Sequence, residues 1–384
     1  MPESRTLVEL DSFQVAKEIF MIHPVRDARR GLSALMAGPV AQLIPASEFS
    51  SHNIIMARDR YSYEGNWLFC TFDHPEFVAA RLGFGLGKFH WQDYGLETDT
   101  ASLNPISFRV EVITSVGVHA CLFSDNELGT SVTSDASSMD VRFHKDGEEL
   151  FRLRGWPKMN WHFRSPDGSM GVDLQVIPHQ MAVWPDCILP NNTFSMCIGT
   201  CDVTGRVFLE SREIKVNGGG VYDHPRVLVR PHDVPPFGWY LYAPLRFPDG
   251  TFLVSYYLED GLGQKDEDYS TAFLILPDQS CRWLSRCQVR SLKMDGEGLP
   301  TGWEAELTGQ NLRISYRSRI IHLPSVHLTG GRSMQDGLSG KYLAFPLLMD
   351  VEGECTIDGV TRGLTGGSGV SEFLVRKGYR PRYP

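Results

Sequence analysis

No Cys-x-x-Cys pair and no His-x-x-x-His or His-Glu-x-x-His spacing occurs in the 384 residues, although the chain holds eight cysteines and twelve histidines. The usual local zinc signatures are therefore missing, and Cys197 and Cys201 have no second close pair to complete a site. The cysteines read as reduced, half-buried strand residues, and His119, His144, His162 and His179 as satisfied strand side chains. Basic charge is scarce too. Thirty-seven Lys and Arg stand against 46 Asp and Glu, a net charge of -9 with no dense basic run. Such a field repels phosphates and excludes nucleic acid as a natural partner. No apolar run is long enough for an integral membrane segment. The first twenty residues carry Glu3, Glu9, Asp11 and Glu18 where an export signal would need a basic start and an apolar core, so the expected location is cytoplasmic. Low-complexity tracts and repeats of solenoid or propeller spacing are absent.

What is present is ordinary globular material: 42% apolar and 22% charged residues, with a mean hydropathy of -0.19. The length suits two packed units or one large β domain. Helical spacing is confined to residues 12–22, where Phe13, Ala16, Ile19 and Phe20 share a face behind Ser12 as a cap. Elsewhere short β-branched and aromatic runs alternate with turn residues. Strands are expected at 67–72, 107–114, 119–123, 139–144, 149–153, 159–163 and 171–177. Lys145-Asp-Gly147, Pro166-Asp-Gly168 and Thr204-Gly205 supply hairpin turns between them. The pattern restarts at 240–247, 251–258, 271–276, 282–292, 303–307, 312–318 and 342–351. Many strands without βαβ alternation predict a mainly β protein of two consecutive antiparallel barrels or sandwiches with few short helices. The proline-rich passage from Pro225 to Pro236 is the natural seam, giving an N-terminal domain of residues 1–228 and a C-terminal domain of 229–384.

Two glycine-rich stretches invite a nucleotide or nucleophile reading and fit neither. In Gly83-Phe-Gly-Leu-Gly-Lys88 the third glycine falls too early for a dinucleotide loop, so a β-turn or bulge is expected. In Gly366-Gly-Ser-Gly369, Val370 stands where a nucleophile elbow needs glycine, and the segment reads as a flexible strand end. The most telling stretch is Asn217-Gly-Gly-Gly-Val-Tyr-Asp-His224, followed by the aromatic run Gly238-Trp-Tyr-Leu-Tyr242. Asp223 is either a turn carboxylate bonding amides of the glycine loop, or a desolvated acid whose raised pKa lets it protonate a double bond or donate to a carbonyl. In the second reading His224 orients or reprotonates it and Tyr222 is a second donor. The surrounding aromatics Trp161, Trp184, Trp239, Tyr240, Tyr242, Tyr256 and Tyr257 are candidates to line a pocket for a polyene or polycyclic ligand. Alternation sends Tyr256 and Tyr257 to opposite faces of their strand.

The Gly-x-x-x-Asp-His element before a Trp/Tyr strand and an Asp-Gly hairpin resembles the lipocalin-like superfamily that includes hydroxyneurosporene synthase, the carotenoid hydratase, and the fungal decalin-forming Diels-Alderases. Tyr61-Ser-Tyr-Glu-Gly-Asn-Trp67 is similar to that family's opening Glu-Trp-Trp-Tyr strand, and Thr365-Gly-Gly-Ser-Gly-Val-Ser-Glu372 to its closing Gly-x-Gly-x-x-Glu strand. Pro225-Arg226 replaces the family's x-Trp-Gly after the Asp-His pair. The resemblance implies two lipocalin-like units, a hydrophobic cavity in the first or between the two, and no required cofactor. It also places Asp223 where the hydratases are thought to keep their acid, with Tyr222 and His224 as its neighbours. The expected function is a cofactor-independent enzyme that holds a polyene, terpenoid or polyketide and promotes cyclisation, isomerisation or hydration. A non-catalytic carrier of a lipid or pigment is the alternative. The expected partner is a hydrophobic small molecule, and the expected state a monomer or homodimer.

Overall fold

The structure is a computed structural model that describes residues 42–48, 62–87, 105–124, 128–134, 138–189, 192–228, 237–260, 271–295, 300–322, 326–331 and 342–376. Residues 12–22, where the sequence predicts a helix, lie outside the described residues. The described residues form twenty-two strands and no helix. The first five are β1 (Gln42–Pro45), β2 (Ser62–Phe72), β3 (Phe77–Gly87), β4 (Pro105–Thr114) and β5 (Val118–Ser124). A meander follows: β6 (Gly129–Ser134), β7 (Met139–Lys145), β8 (Glu148–Arg154), β9 (Met159–Arg164) and β10 (Met170–Leu189). Two long strands, β11 (Asn192–Leu209) and β12 (Arg212–Leu228), lead to β13 (Phe237–Arg246), β14 (Phe252–Asp260), β15 (Thr271–Ile275) and β16 (Cys281–Leu284). The last are β17 (Arg286–Met294), β18 (Pro300–Gly309), β19 (Leu312–His322), β20 (Val326–Gly331), β21 (Tyr342–Ile357) and β22 (Val360–Arg376).

These strands make two sheets, as the strand-rich pattern predicts. The first has the order β20-β5-β4-β3-β2-β12-β11-β10-β9-β8-β7-β6, with β1 on β10, and curls into a half-barrel. The second runs β16-β15-β14-β13-β22-β21-β19-β18-β17. Its two end strands, β16 and β17, are joined through Ser285, which brings the ends of the order together and nearly closes a barrel. One strand crosses over: β20, from late in the chain, pairs parallel with β5 on the edge of the first sheet.

Side-chain alternation explains the layers. In β7, Met139, Val141 and Phe143 turn inward while Asp140 and Arg142 stay outside, the period of two that a half-buried strand requires. Inside the first sheet Phe84, Phe108, Phe143, Phe151 and Trp161 pack edge to face or stacked, with several ring separations near 5 Å. Each such buried ring contributes roughly 1.5–3 kcal/mol of transfer free energy. A separate core around Trp239, Trp303 and Tyr316 fills the second barrel. Two further apolar patches join the outer faces of both sheets: one around Phe69, Val221, Tyr242 and Phe273, the other around Ala79, Ile113, Leu348 and Val370. The molecule therefore has a seam between its sheets as well as two interiors.

Five local expectations change. Asn217 to Gly220 is the middle of β12 instead of a loop, because each glycine lies against a neighbouring strand; a Cβ on Gly220 would stand 2.1 Å from the Phe69 carbonyl oxygen. Thr204-Gly205 lies inside β11, and the chain reverses at Glu210 and Ser211, with Glu210 at φ 57°. Gly83 to Gly87 lies within β3, although its pairing with β4 slips between Gly85 and Leu86, the bulge-like part of what was expected. Gly366 to Gly369 is interior to β22 and does not end a strand. The run 282–292 is also split at Ser285 into β16 and β17.

Gly83 shows why a glycine is needed inside a strand. It sits opposite Trp67 in the β2/β3 register, and a Cβ there would stand 2.3 Å from the Asn66 carbonyl oxygen and 2.6 Å from the indole ring. Since backbone cannot move away cheaply, Gly83→Ala is expected to destabilise the fold by about 1–3 kcal/mol. A urea denaturation midpoint unchanged from wild type would contradict this.

Candidate functional site

Asp223 lies on β12, opposite Ile198 of β11 and Trp67 of β2. Directly opposed residues of antiparallel strands share a face, so all three side chains point out of the first sheet and into the seam. Val221, two positions back, already packs there against the second sheet. The carboxyl group is 4% exposed. Tyr256 of β14 donates its hydroxyl hydrogen to Asp223 Oδ2 at 3.3 Å, whereas Oδ1 is buried with no hydrogen-bond partner among the described residues.

Burial pushes the Asp223 pKa from 3.8 up to about 8, and the negative charge of Glu372 pushes in the same direction, against the lowering effect of the Tyr256 hydrogen bond. The group is thus largely protonated at neutral pH. Because Oδ2 accepts from Tyr256, Oδ1 is the oxygen left to carry the proton. An aromatic wall flanks it: Tyr256 stacks on Tyr242 at 4.4 Å, and Phe69 meets Tyr242 edge-on at 4.9 Å. Beside Val221 the seam opens into a crevice of about 10 Å³, lined by Phe69, Pro244 and Phe252 among others and large enough for a single water.

A buried ionic cluster completes the seam. Arg81 is fully buried and grips Glu111 with two nitrogens, at 2.5 and 2.8 Å, while its Nη1 donates to Glu372 Oε1 of the second sheet at 2.9 Å. Arg109 reaches the same Glu372 oxygen at 3.4 Å. Arg81 is placed opposite Phe69 and Glu111, and Glu372 opposite Tyr242 in the β13/β22 pairing, so the cluster faces the same seam as Asp223. Among the described residues it joins two guanidinium groups and two carboxylates, and the negative charge of Glu372 is the one that acts on Asp223.

The candidate residues from the sequence divide among three compartments. Asp223, Tyr242 and Tyr256 meet in the seam. Tyr222 and Trp161 are inside the first sheet. His224 shares the inner side with Tyr222, their rings 6.3 Å apart. The proposed cooperation of His224 and Tyr222 with Asp223 is therefore corrected: successive strand residues face opposite ways, and Tyr256 takes the place beside the carboxyl. Trp239 and Tyr257 belong to the core of the second barrel, and Tyr257 does face away from Tyr256 as alternation requires. The side chains of Trp184 and Tyr240 lie outside the described residues.

Sequence reasoning missed Arg81, Arg109 and Glu111. Their signal is a charge inside an otherwise apolar strand: Val78-Ala-Ala-Arg-Leu82 and Phe108-Arg-Val-Glu-Val112 place ions where only paired ones survive burial. No group of three or more His, Cys, Asp or Glu among the described residues has the geometry of a metal site. Six described cysteines are free thiols, and burial raises the pKa of Cys70 to about 12, which makes it inert. None of the described residues forms a helix long and apolar enough to cross a membrane.

With this geometry in place, known proteins supply a comparison. A Nitrosomonas europaea protein designated AttH aligns with 87% of this chain and 96% of its own, at a TM-score of 0.55 and 11% identity. The two share a fold. Kievitone hydratase from Nectria haematococca aligns over 86% of the chain and 97% of its own, at a TM-score of 0.48 and 10% identity. CghA bound to Sch210972 aligns over 88% of the chain and 99% of its own, at 0.43 and 12%. No protein-family profile matches the sequence, and no curated protein is significantly similar to it. The mainly β architecture expected from the sequence is borne out, as a half-barrel sheet and a nearly closed barrel sheet, and the likeness to the AttH protein is one of fold.

Proposed function

We propose that the protein is a cofactor-independent enzyme that uses the Asp223 carboxylic acid to protonate, or to hydrogen-bond, a hydrophobic substrate. The observation that carries this reading is a buried acid with one oxygen engaged by Tyr256, the other without a partner, and a pKa raised to about 8. A carboxyl that stays protonated at neutral pH beside aromatic rings is suited to a carbon–carbon double bond or a developing enolate oxygen, neither of which needs a second charged group. The substrate class is a polyene, terpenoid or polyketide, and the reaction a hydration, isomerisation or cyclisation begun by that proton. Tyr242, Tyr256 and Trp67 provide the apolar faces that hold the reacting segment.

The direct test is to titrate the acid. In protein labelled with 13C at the aspartate carboxyl, one resonance is expected to titrate near pH 8 and to be missing from Asp223→Asn. A resonance of Asp223 that titrates near 4 would refute the proposal.

Tyr256→Phe isolates the hydroxyl. Its hydrogen bond favours the ionised acid, so its loss should raise the Asp223 pKa further and move the alkaline limb of the rate profile to higher pH. The limb is read from kcat/KM across pH 6–10 as an order-of-magnitude window around the shifted value. An unmoved limb would detach Tyr256 from the reacting acid.

A further inference from the structure

Asp223 shares the seam with a second carboxyl group of opposite character. Glu372 enters from the second sheet, where Arg81 Nη1 and Arg109 Nη1 donate to its Oε1 at 2.9 and 3.4 Å. Register sets the spacing of the two acids. Tyr256, Tyr242 and Glu372 are directly opposed across β14, β13 and β22, so their side chains form one transverse row on one face of the second sheet. Asp223 accepts the Tyr256 hydroxyl hydrogen at one end of that row, Glu372 is the other end, and the stacked rings of Tyr256 and Tyr242 lie between them.

The environments of the two groups differ. Asp223 is 4% exposed, is bonded by a neutral hydroxyl and keeps its proton, whereas the Glu372 side chain is 17% exposed, is bonded by two guanidinium groups and carries the negative charge that acts on Asp223. Surroundings that hold one carboxyl group neutral and a neighbour ionised set up an acid and a base. A carboxylate has about four lone-pair positions, so ion pairs at Oε1 are compatible with taking up a proton, and the partial exposure leaves an approach from solvent. A carboxylate paired with arginine is a weak base. It can remove only a proton that the site itself makes acidic, such as one on the carbon next to a carbonyl whose oxygen accepts from a neutral acid. A hydrocarbon polyene has no such carbon.

We propose that Glu372 is the general base of the seam and that the substrate is an uncharged apolar ketone, enolised between Glu372 and Asp223 and isomerised by a 1,3-proton shift. This role presupposes Asp223 as the acid and supplies its counterpart. Glu372 takes a proton from the carbon beside the carbonyl; the C–H electron pair becomes a carbon–carbon double bond, and the carbonyl π pair moves to the oxygen, which takes the Asp223 proton. When a second double bond is conjugated with the enol, Glu372 returns its proton to the far carbon and the oxygen returns its own to Asp223. Nothing is oxidised or reduced, and both carboxyl groups end as they began.

The test follows hydrogen–deuterium exchange at C1 of 2-tetralone in D2O by 1H NMR, with the full chain as catalyst. Wild type should exchange this position at least about tenfold faster than buffer alone. Glu372→Gln keeps the length of the side chain and an acceptor for the arginines, and should return the rate to that of buffer. In the same variant the 13C resonance of Asp223 should titrate at lower pH than in wild type, because a like charge has gone, which also reports that the seam is intact. Exchange in Glu372→Gln at the wild-type rate, with wild-type Asp223 titrating at about 8, would remove Glu372 alone. An Asp223 resonance in the ordinary carboxylate range would remove the acid and this pairing together, and wild-type exchange no faster than buffer would overturn the ketone and the base while leaving the acid. Should Glu372→Gln fail to fold, the wild type still decides. One fixed base takes one of the two C1 hydrogens, so catalysed exchange should stop at one deuterium, and a second entering at the same rate would overturn the assignment.

Discussion

Asp223→Asn is expected to lower turnover of the hydrophobic substrate by about 10²–10⁴-fold, the usual contribution of a positioned acid, while the protein stays folded. Asparagine matches the carboxyl in shape, can still accept the Tyr256 hydroxyl hydrogen, and has no proton to transfer. The same substitution should change the pH dependence of stability. Burial raises the folded-state pKa from 3.8 to about 8, so between those values the folded chain binds more protons than the unfolded one. Stability from this group is complete below pH 3.8 and is lost as pH climbs to about 8, beyond which the loss is constant. At about 1.36 kcal/mol per unit, the loss has an upper bound of roughly 6 kcal/mol. The difference in unfolding free energy between wild type and Asp223→Asn should therefore shift in favour of the variant from pH 5 to pH 8.5. Asp140 and Asp173, whose pKa values are held down by arginines, titrate alike in both proteins and cancel in the difference. Urea denaturation at the two pH values measures it, and parallel profiles would mean that Asp223 ionises normally.

The strand pattern was legible because half-buried strands announce themselves by alternation, as Met139 to His144 and Met159 to Phe163 do. Strands rich in glycine were not. β12 carries three consecutive glycines and β22 three within four residues, and the usual turn reading of such runs fails here because neighbouring backbones and rings fill the space of the missing side chains. That misreading also decided the fate of the Asp-His pair. In a loop, Asp223 and His224 could have met; in a strand they point to opposite compartments, and the partner of the acid comes from Tyr256, 33 residues later. Sequence context singled out Asp223, which the structure buries, but it did not point to the residue that bonds it. Tyr256 belongs to a different sheet, and only the way the two sheets face each other brings it to β12.

The second large effect concerns Arg81. It is fully buried, holds Glu111 through two nitrogens, and among the described residues binds Glu372 of the second sheet more tightly than Arg109 does. Arg81→Ala leaves Glu111, itself completely buried, with only Arg109 at 3.7 Å among the described residues, and should cost about 3–5 kcal/mol in urea denaturation because a poorly compensated carboxylate stays inside. Removing both ends distinguishes that mechanism from simple loss of packing. If the buried charge is responsible, Arg81→Met combined with Glu111→Leu should destabilise less than Arg81→Met alone; additive losses would instead indicate packing. The pair also bears on the chemistry across the seam. Glu372 raises the Asp223 pKa, and Arg81 pairs with Glu372 more closely than Arg109 does. In Arg81→Met, Glu372 acts on Asp223 with less compensation, so the acid should hold its proton to higher pH and the alkaline limb of kcat/KM should move upward in the fraction that remains folded. A limb that stays in place while stability falls would confine Arg81 to joining the sheets.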